Sequence, residues 1–571
     1  MVGVGWRPIA LFGLCLHVCS ALAQHASGGF IRAEGGRFVD EDCNEFIPSG
    51  LNTWQLLEVA AGKVKSKPVM LENGMADVVQ WTLATAAANK LNVLRSFAHG
   101  VEGSFALQIK AGKYSEHAFQ ALDYILDEAS KYGVRLLLTL VNNWDNADSK
   151  TQYIQWAGAE GDDVFFTDPS TKQLFKDHID AMVNRRNTIN NRLYKDDPTI
   201  FAWDLMNEPR CDCFPDFIPV PDSYVSCRPE CAKKVQSWID DMSKYLKKAD
   251  PNHMITVGEE GFYTKGSSGE ATNPGTGWAS LTGQDFIANH ASPAIDFAAA
   301  HIWPDNWETW DVDFLETWIK QHAADAKAMG KPFMIEEFGK EVHLESGAQA
   351  NISSIRGPFY RKVYQQLQES LNADGPLKGV IFWQWGFAPY IAEEFLQGCR
   401  HCQAIQVSAS DGVFKNIIAP AAEYAAQMAV SRSPVPKCKP VPAAKRAQTL
   451  VMPGTLPTRE TTSDMLASAS AALSASGAAG SQKQDAEDSN LMLASSSDPL
   501  SAVHPAGSHS SSSSSSSGGQ VTAASLDTPA AADSVSNARG QAASDETVRM
   551  GKMLKTQPRA RTAHHHAFSG Q

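Results

Sequence analysis

The sequence predicts an α/β protein whose body is a (β/α)8 TIM barrel followed by a disordered low-complexity C-terminal tail. Between about Phe30 and Val430, short apolar runs alternate with longer amphipathic stretches, the pattern of parallel strands joined by crossover helices. Eight such runs can be counted, and polar or aromatic residues gather where most of them end. In a barrel those ends share one mouth. No glycine-rich phosphate loop follows any run, which argues against an open dinucleotide-binding sheet.

Near the start of the chain Arg7 precedes the apolar run from Ile9 to Val18, and Ala21-Leu-Ala23 supplies small residues for cleavage. This is the form of a secretory signal peptide over residues 1–23, with the mature chain expected from Gln24. The run is too short to span a bilayer. The expected destination is therefore extracellular, in the medium or the cell wall. Of 571 residues, 50 are basic and 63 acidic, giving a net charge of −13. That balance disfavours nucleic acid and anionic membrane as partners. A monomer is expected.

The strand candidates are Phe46 to Asn52, Asn92 to Phe97, Arg135 to Val141, Ile200 to Asn207, Met254 to Gly258, Phe297 to His301, Phe333 to Phe338 and Gly379 to Trp385. Helical periodicity between them covers Ala76 to Lys90, Ser115 to Lys131, Thr171 to Asn187, Ala232 to Lys248, Asp313 to Met329 and Gly357 to Leu371. The predicted domain runs from 24 to 438. Eight cysteines remain once Cys15 and Cys19 leave with the leader, an even number that suits disulfides in an oxidising compartment. Cys43 and Cys438 lie near the two ends of the folded part and could tie them together. Cys211, Cys213, Cys227 and Cys231 crowd one loop, with their pairing open, and their spacings fit zinc knuckles poorly. Cys399 and Cys402 form a further close pair. From 439 to 571, Ser, Ala, Gly and Pro dominate and aromatic residues almost vanish. Such a segment cannot bury enough apolar surface to offset the entropy of ordering it. Asn351-Ile-Ser353 is a candidate glycosylation sequon.

Two runs end in a carboxylate: Phe201 to Arg210 delivers Asn207 and Glu208, and Pro332 to Gly339 delivers Glu337. Asn-Glu-Pro could simply close a strand with a turn. Arg95, His301 and Trp383 each have an ordinary packing explanation too, but their joint appearance at one end of successive strands does not. Two opposed carboxylates among aromatic faces and amide donors suit glycoside hydrolysis. One carboxyl must be protonated to assist the leaving oxygen, and the other ionised to attack or to direct water. Carboxyl groups ~5 Å apart would give retention, and groups roughly 6.5–9.5 Å apart inversion. Arg95 is expected to favour the ionised form of Glu337, and the neighbouring negative charge to favour protonation of Glu208.

Gly50-Leu-Asn-Thr-Trp54, Leu94-Arg-Ser-Phe97, Leu138 to Trp144, Trp203 to Arg210, Val257 to Tyr263, His301 to Trp307, Ile335-Glu-Glu-Phe-Gly339 and Phe382-Trp-Gln-Trp385 follow one another in this order. On these motifs the chain resembles the endo-β-1,4-mannanases of glycoside hydrolase family 5 over about Phe30 to Met428. The resemblance implies a retaining mechanism with Glu208 as acid/base and Glu337 as nucleophile. Strand alternation is expected to turn Glu336 to the face opposite Glu337. The resemblance further implies that Arg95, Asn207, His301 and Trp383 position the nucleophile or the central sugar, and that Arg210 meets sugar on the leaving-group side. Two substrate-binding positions depart from the family pattern. Trp303 stands where a tyrosine usually hydrogen-bonds the nucleophile, and Phe97 stands where a tryptophan is common. No cofactor or metal is required by this chemistry, and the implied partner is a β-mannan polysaccharide: mannan, glucomannan or galactomannan. Alternatives on the same fold are a β-1,4-glucanase, a mannan transglycosylase and a non-catalytic polysaccharide-binding barrel.

Overall fold

In a computed structural model the protein is described over residues 29–442, apart from 63–68, 72–73, 101–104, 145–148, 212–227, 276, 308, 310, 343–351 and 388–404. The leader, the tail beyond residue 442, Cys213, Cys227, Cys399, Cys402 and the sequon Asn351 lie outside the described residues.

Eight parallel strands form one sheet: β1 (Ser49–Asn52), β2 (Val93–Phe97), β3 (Arg135–Thr139), β4 (Ile200–Asn207), β5 (Met254–Gly258), β6 (Ala298–Ile302), β7 (Phe333–Phe338) and β8 (Leu377–Phe382). Their order is β5-β4-β3-β2-β1-β8-β7-β6. At the seam, the Asp296 N–H donates to the Ile255 carbonyl and the His301 N–H to the Glu259 carbonyl, each at 2.8 Å, so the sheet curls into a nearly closed barrel. Every residue of β2 to β8 is buried, as expected of parallel strands covered by helices on one side and packed into a barrel interior on the other.

The crossover helices start and stop where capping chemistry says they should. Asp77 accepts from the Gln80 N–H, and the Gln80 side chain answers with the Asp77 N–H, a capping box opening Val78–Ala88. Ser115 caps Glu116–Tyr132, which ends at left-handed Gly133. Asp311 caps Val312–Met329, which ends at left-handed Gly330.

β4, β5 and β7 have the expected bounds. The first expected strand does not run unbroken from Phe46 to Asn52: Glu45–Phe46 pairs antiparallel within a small sheet with Arg32–Glu34 and Arg37–Val39, and β1 begins only at Ser49. Pro48, which has no N–H to give a ladder, separates the two pieces. The small sheet has a packing role. Phe38 places its ring 5.5 Å from Phe201 and 5.3 Å from Phe297, sealing the barrel floor together with Val93, Leu137, Met254, Met334 and Ile381. Cys43 and Cys438, 395 residues apart, form a disulfide that joins this floor to the C-terminal segment, and Cys211 pairs with Cys231. The helix Ala419–Ser431 lies beyond the last expected one. Among the described residues, no helix is long and apolar enough to cross a membrane.

Candidate active site

Above the apolar floor the inward positions turn polar. Two residues up from Val93, Leu137 and Met334 stand Arg95, Thr139 and Glu336, a step that alternation along each strand dictates. Asp204 of β4 joins them. Arg95 is fully buried and spreads its donors fanwise. Its Nη1 donates to Glu337 Oε1 and, at 3.2 Å, to Asn52 Oδ1, and its Nη2 reaches Asp204 Oδ2 and Asn207 Oδ1 at 2.9 Å each. Thr139 Oγ1 donates to the same Asp204 oxygen at 2.7 Å. A planar guanidinium suits this job, because its directions are fixed and its charge is permanent.

Glu208 leaves β4 with φ at +49°, a left-handed conformation uncommon for a residue with a side chain. The turn hands its N–H to the Gly258 carbonyl at 2.6 Å, while the carboxyl stands over the mouth. There His301 Nδ1 meets Oε1 at 2.8 Å and the Trp144 indole N–H donates to Oε2 at 2.6 Å. His301 Nδ1 also lies 3.6 Å from Glu337 Oε2. Oxygens of Glu208 and Glu337 and a nitrogen of His301 thus fall within 4.8 Å of one another. The set is the one group of convergent donors of this kind among the described residues, but Arg95 occupies Glu337 and the imidazole is driven to its cationic form, so it suits protons better than a metal ion.

The electrostatics differ from the sequence expectation. Burial works against ionising Glu208, yet His301, the Trp144 N–H and the Arg210 charge together hold its pKa below the usual carboxylate range. Burial pushes Glu337 up to about 7 against the pull of His301 and Arg95, with Glu208 and Glu336 adding like charge. The reversal has a local cause: His301 spends its short hydrogen bond on Glu208, not on Glu337. Burial opposes the imidazolium as well, but the facing carboxylates raise His301 to about 10.

Glu336 also departs from expectation. It does not turn away from the site, since its oxygens lie 3.7 Å from Arg95 Nε and 3.6 Å from His301 Nε2. Alternation from Met334 puts Glu336 inside, and a register shift between Ala300 and His301 lets the strand end carry Glu337 over the same mouth.

The remaining expected residues have these surroundings. Asn207, its oxygen taken by Arg95, donates from Nδ2 to Asn142 Oδ1 at 3.0 Å. Phe97 stacks on His99 with centroids 4.5 Å apart and lies 6.3 Å from Trp383. Trp303 crosses Trp383 edge-on at 6.2 Å and packs over Gly339, where an added Cβ would come within 2.8 Å of the Trp303 ring. Arg210 points to a different wall: Nε donates to Glu260 Oε2 at 2.6 Å and Nη2 to Oε1, with the guanidinium 5.1 Å from the Trp144 ring and 5.8 Å from Trp278. Gln284 Nε2 braces Glu260 at 2.9 Å.

Residues that the sequence reading left without a role are Trp144, Asp204, Glu260 and Gln284. Trp144 and Glu260 stand at strand ends and carried that signal. Asp204, within a strand, and Gln284, in a loop, carried none.

The residues 28–394 match the family model described as glycoside hydrolase family 5, β-mannosidase-like. Mannan endo-1,4-beta-mannosidase 1 of Oryza sativa subsp. japonica is 39% identical over 378 residues, covering 64% of this chain and 80% of its own. Mannan endo-1,4-beta-mannosidase 1 of Arabidopsis thaliana is 35% identical over 364 residues, covering 62% and 82%. Among solved structures, an endo-1,4-beta-mannanase of Rhizomucor miehei superposes with a TM-score of 0.54 at 25% identity, covering 70% of this chain and all of that one. With a barrel whose mouth gathers two buried glutamates, an arginine and a histidine, and with the match spanning all eight of its strands, the chain belongs to glycoside hydrolase family 5, in its β-mannosidase-like branch.

Proposed function

We propose that the protein is an exported, retaining endo-β-1,4-mannanase that cleaves internal bonds of mannan, glucomannan or galactomannan. The observation that carries the mechanism is the approach of Glu208 and Glu337, whose oxygens come within 4.8 Å. That spacing suits retention, which needs ~5–5.5 Å between carboxyl groups, and leaves little room for the water that inversion places between groups roughly 6.5–9.5 Å apart. Glu337 attacks the anomeric carbon while Glu208 gives its proton to the departing glycosidic oxygen. Glu208 then takes a proton from water, whose oxygen displaces Glu337 and frees the sugar with its original configuration. An ether oxygen offers lone pairs only, so its arrival beside Glu208 favours the protonated carboxyl that this first step needs. Arg95 holds Glu337 through Oε1 and offsets the charge of the attacking carboxylate.

The names of the relatives, with Arg210 fixed beside the acid/base residue, support mannan over glucan. The apolar leader supports export, and the two disulfides are in keeping with an oxidising compartment.

The test is reducing-end release by the full chain on mannan, glucomannan and cellulose, beside Glu208→Gln and Glu337→Gln, with the first anomer formed followed by NMR. Release from mannans that both substitutions abolish, with a β-anomer appearing first, is expected. Preference for cellulose would reassign the substrate, an α-anomer would sink the retaining mechanism, and a folded but inert protein would point to a polysaccharide-binding role.

A further inference from the structure

We propose that Glu336 is a positioning residue of this site, the non-reacting counter-charge that keeps His301 cationic and aimed at Glu208 while the two reacting carboxylates change their own charge. The inference rests on the reading of Glu208 and Glu337 as the reacting pair. The geometry begins with four buried polar atoms: Glu336 Oε1 and Oε2, Arg95 Nε and His301 Nε2, none with a hydrogen-bond partner among the described residues. They face one another at 3.7 Å from Arg95 and 3.6 Å from His301. Unpartnered buried polar atoms are costly and seldom occur together by chance. Here each carboxylate oxygen is aimed at a cationic donor.

The groups around Glu336 can be named wall by wall. β2 brings Arg95, β4 brings Asp204, β6 brings His301, and Glu337 follows it on β7. β1 contributes the Asn52 amide, which fixes the Glu336 carbonyl at 2.9 Å. β5 contributes a glycine at this level: a Cβ at Gly258 would lie 2.7 Å from Asp204 Oδ2 and 3.0 Å from both Arg95 Nη2 and Glu336 Oε2. The glycine leaves space that the charged cluster fills.

Charge accounting then separates the roles. Two cations, Arg95 and His301, face four carboxylates, Asp204, Glu208, Glu336 and Glu337. During double displacement Glu337 loses its charge on forming the glycosyl ester, and Glu208 alternates between acid and base. Only Asp204 and Glu336 take no part in bond making. Asp204 is held by Arg95 and Thr139, and that leaves Glu336 as the anion on the far nitrogen of His301. Without it, the only carboxylates within ion-pair distance of the imidazolium would be the two whose charge the reaction consumes, with Glu259 and Glu260 acting on it from beyond that distance.

The experiment is a ¹⁵N-histidine NMR titration of the full-length protein, with the His301 signal assigned by its loss in His301→Asn, run beside mannan kinetics. In the unaltered protein the His301 imidazole is expected to stay charged through pH 8. In Glu336→Gln it is expected to titrate at least about one pH unit lower, with kcat down about tenfold and KM within twofold. Glu336→Asp, which keeps the charge, should titrate close to the unaltered protein. An unchanged His301 titration in folded Glu336→Gln would overturn the inference, whatever happens to the rate. Should that variant fail to fold, a neutral His301 at pH 7 in the unaltered protein would overturn it equally. A protein that never cleaves mannan would instead refute the proposed function, a result the NMR arm reads independently.

Discussion

The indole N–H of Trp144 donates to Glu208 Oε2 at 2.6 Å, while the face of the same indole lies 5.1 Å from the Arg210 guanidinium. One side chain therefore touches the proposed acid/base group and the cation next to it. Trp144→Phe keeps a ring against Arg210 and removes the donor. A hydrogen bond to a charged group contributes about 1.5–3 kcal/mol, so kcat/KM should fall roughly tenfold to a hundredfold. The lost donor stabilised ionised Glu208, so the Glu208 pKa should rise; as the lower-pKa member of the pair it sets the acid limb of kcat/KM, which should move upward. A fall in rate with an unmoved limb would mean that Trp144 acts on the sugar alone.

Arg95 serves Asn52, Asp204, Asn207 and Glu337 at once. Arg95→Lys keeps a positive charge but offers a single ammonium in place of a planar fork. Glu337, already at about 7 through burial, then loses its closest stabilising partner and rises further. Attack needs the ionised form, so the rate should drop at least about a hundredfold, and because Glu337 is the higher-pKa member of the pair in the free enzyme, the alkaline limb of kcat/KM should shift to higher pH. Retention of wild-type rate would sink the assignment of Glu337 as nucleophile.

How much of this was legible in the sequence depends on whether a feature is local. β4, β5 and β7 were readable to the residue because a buried parallel strand is a continuous apolar run with a polar end. Glu208 and Glu337 stood out for the same reason. The role of Phe38 did not, because nothing in Arg37–Val39 says that a three-residue strand will fold under the barrel and plug it. Glu336 was misread because simple alternation allows only one of two adjacent residues to face inward, whereas a register shift at the end of β6 admits both. The proton order of the pair was also misread, since the sequence shows that His301 is present but not which carboxylate it bonds.

Glu259 gives a stability prediction separate from activity. Burial raises its carboxyl to about 8, while the Asn289 amide donates to it and Asp285 and Glu260 add like charge. A group raised on folding adds stability that is complete below the unfolded carboxylate pKa of about 4.3 and is lost as pH climbs through the folded value. The protein should therefore lose on the order of a few kcal/mol of stability at this group between about pH 4.5 and 8. Glu259→Gln, which cannot ionise and still accepts from Asn289, should flatten that slope and melt higher than wild type at pH 8. Parallel Tm–pH curves for the two proteins would refute this.

The Cys43–Cys438 bridge closes a loop spanning 395 positions of sequence. Tying so long a loop restricts the unfolded chain strongly, and removing such a bridge costs roughly 2–5 kcal/mol. Cys438→Ser should lower the unfolding midpoint in urea and leave kcat within about twofold, because the bridge joins the barrel floor and the reaction belongs to the mouth. A large kcat loss in the folded variant would show that the floor and the mouth are coupled.

Gly258 tests the barrel interior with the smallest available change. Its φ is not in the left-handed region, so alanine is acceptable to the backbone and the effect must come from space. An added Cβ would meet Asp204 Oδ2 at 2.7 Å and Arg95 Nη2 and Glu336 Oε2 at 3.0 Å. Arg95 and Asp204 cannot swing aside freely, since they are held by each other and by Asn207 and Thr139. Overpacking of this kind costs about 1–3 kcal/mol. Gly258→Ala should show that loss in a urea melt and, because the displaced groups are those that hold Glu337, a fall in kcat of at least tenfold with little change in KM. Wild-type kcat in a destabilised Gly258→Ala would mean that the charged layer can shift without moving the nucleophile, and that its precise arrangement serves the fold alone.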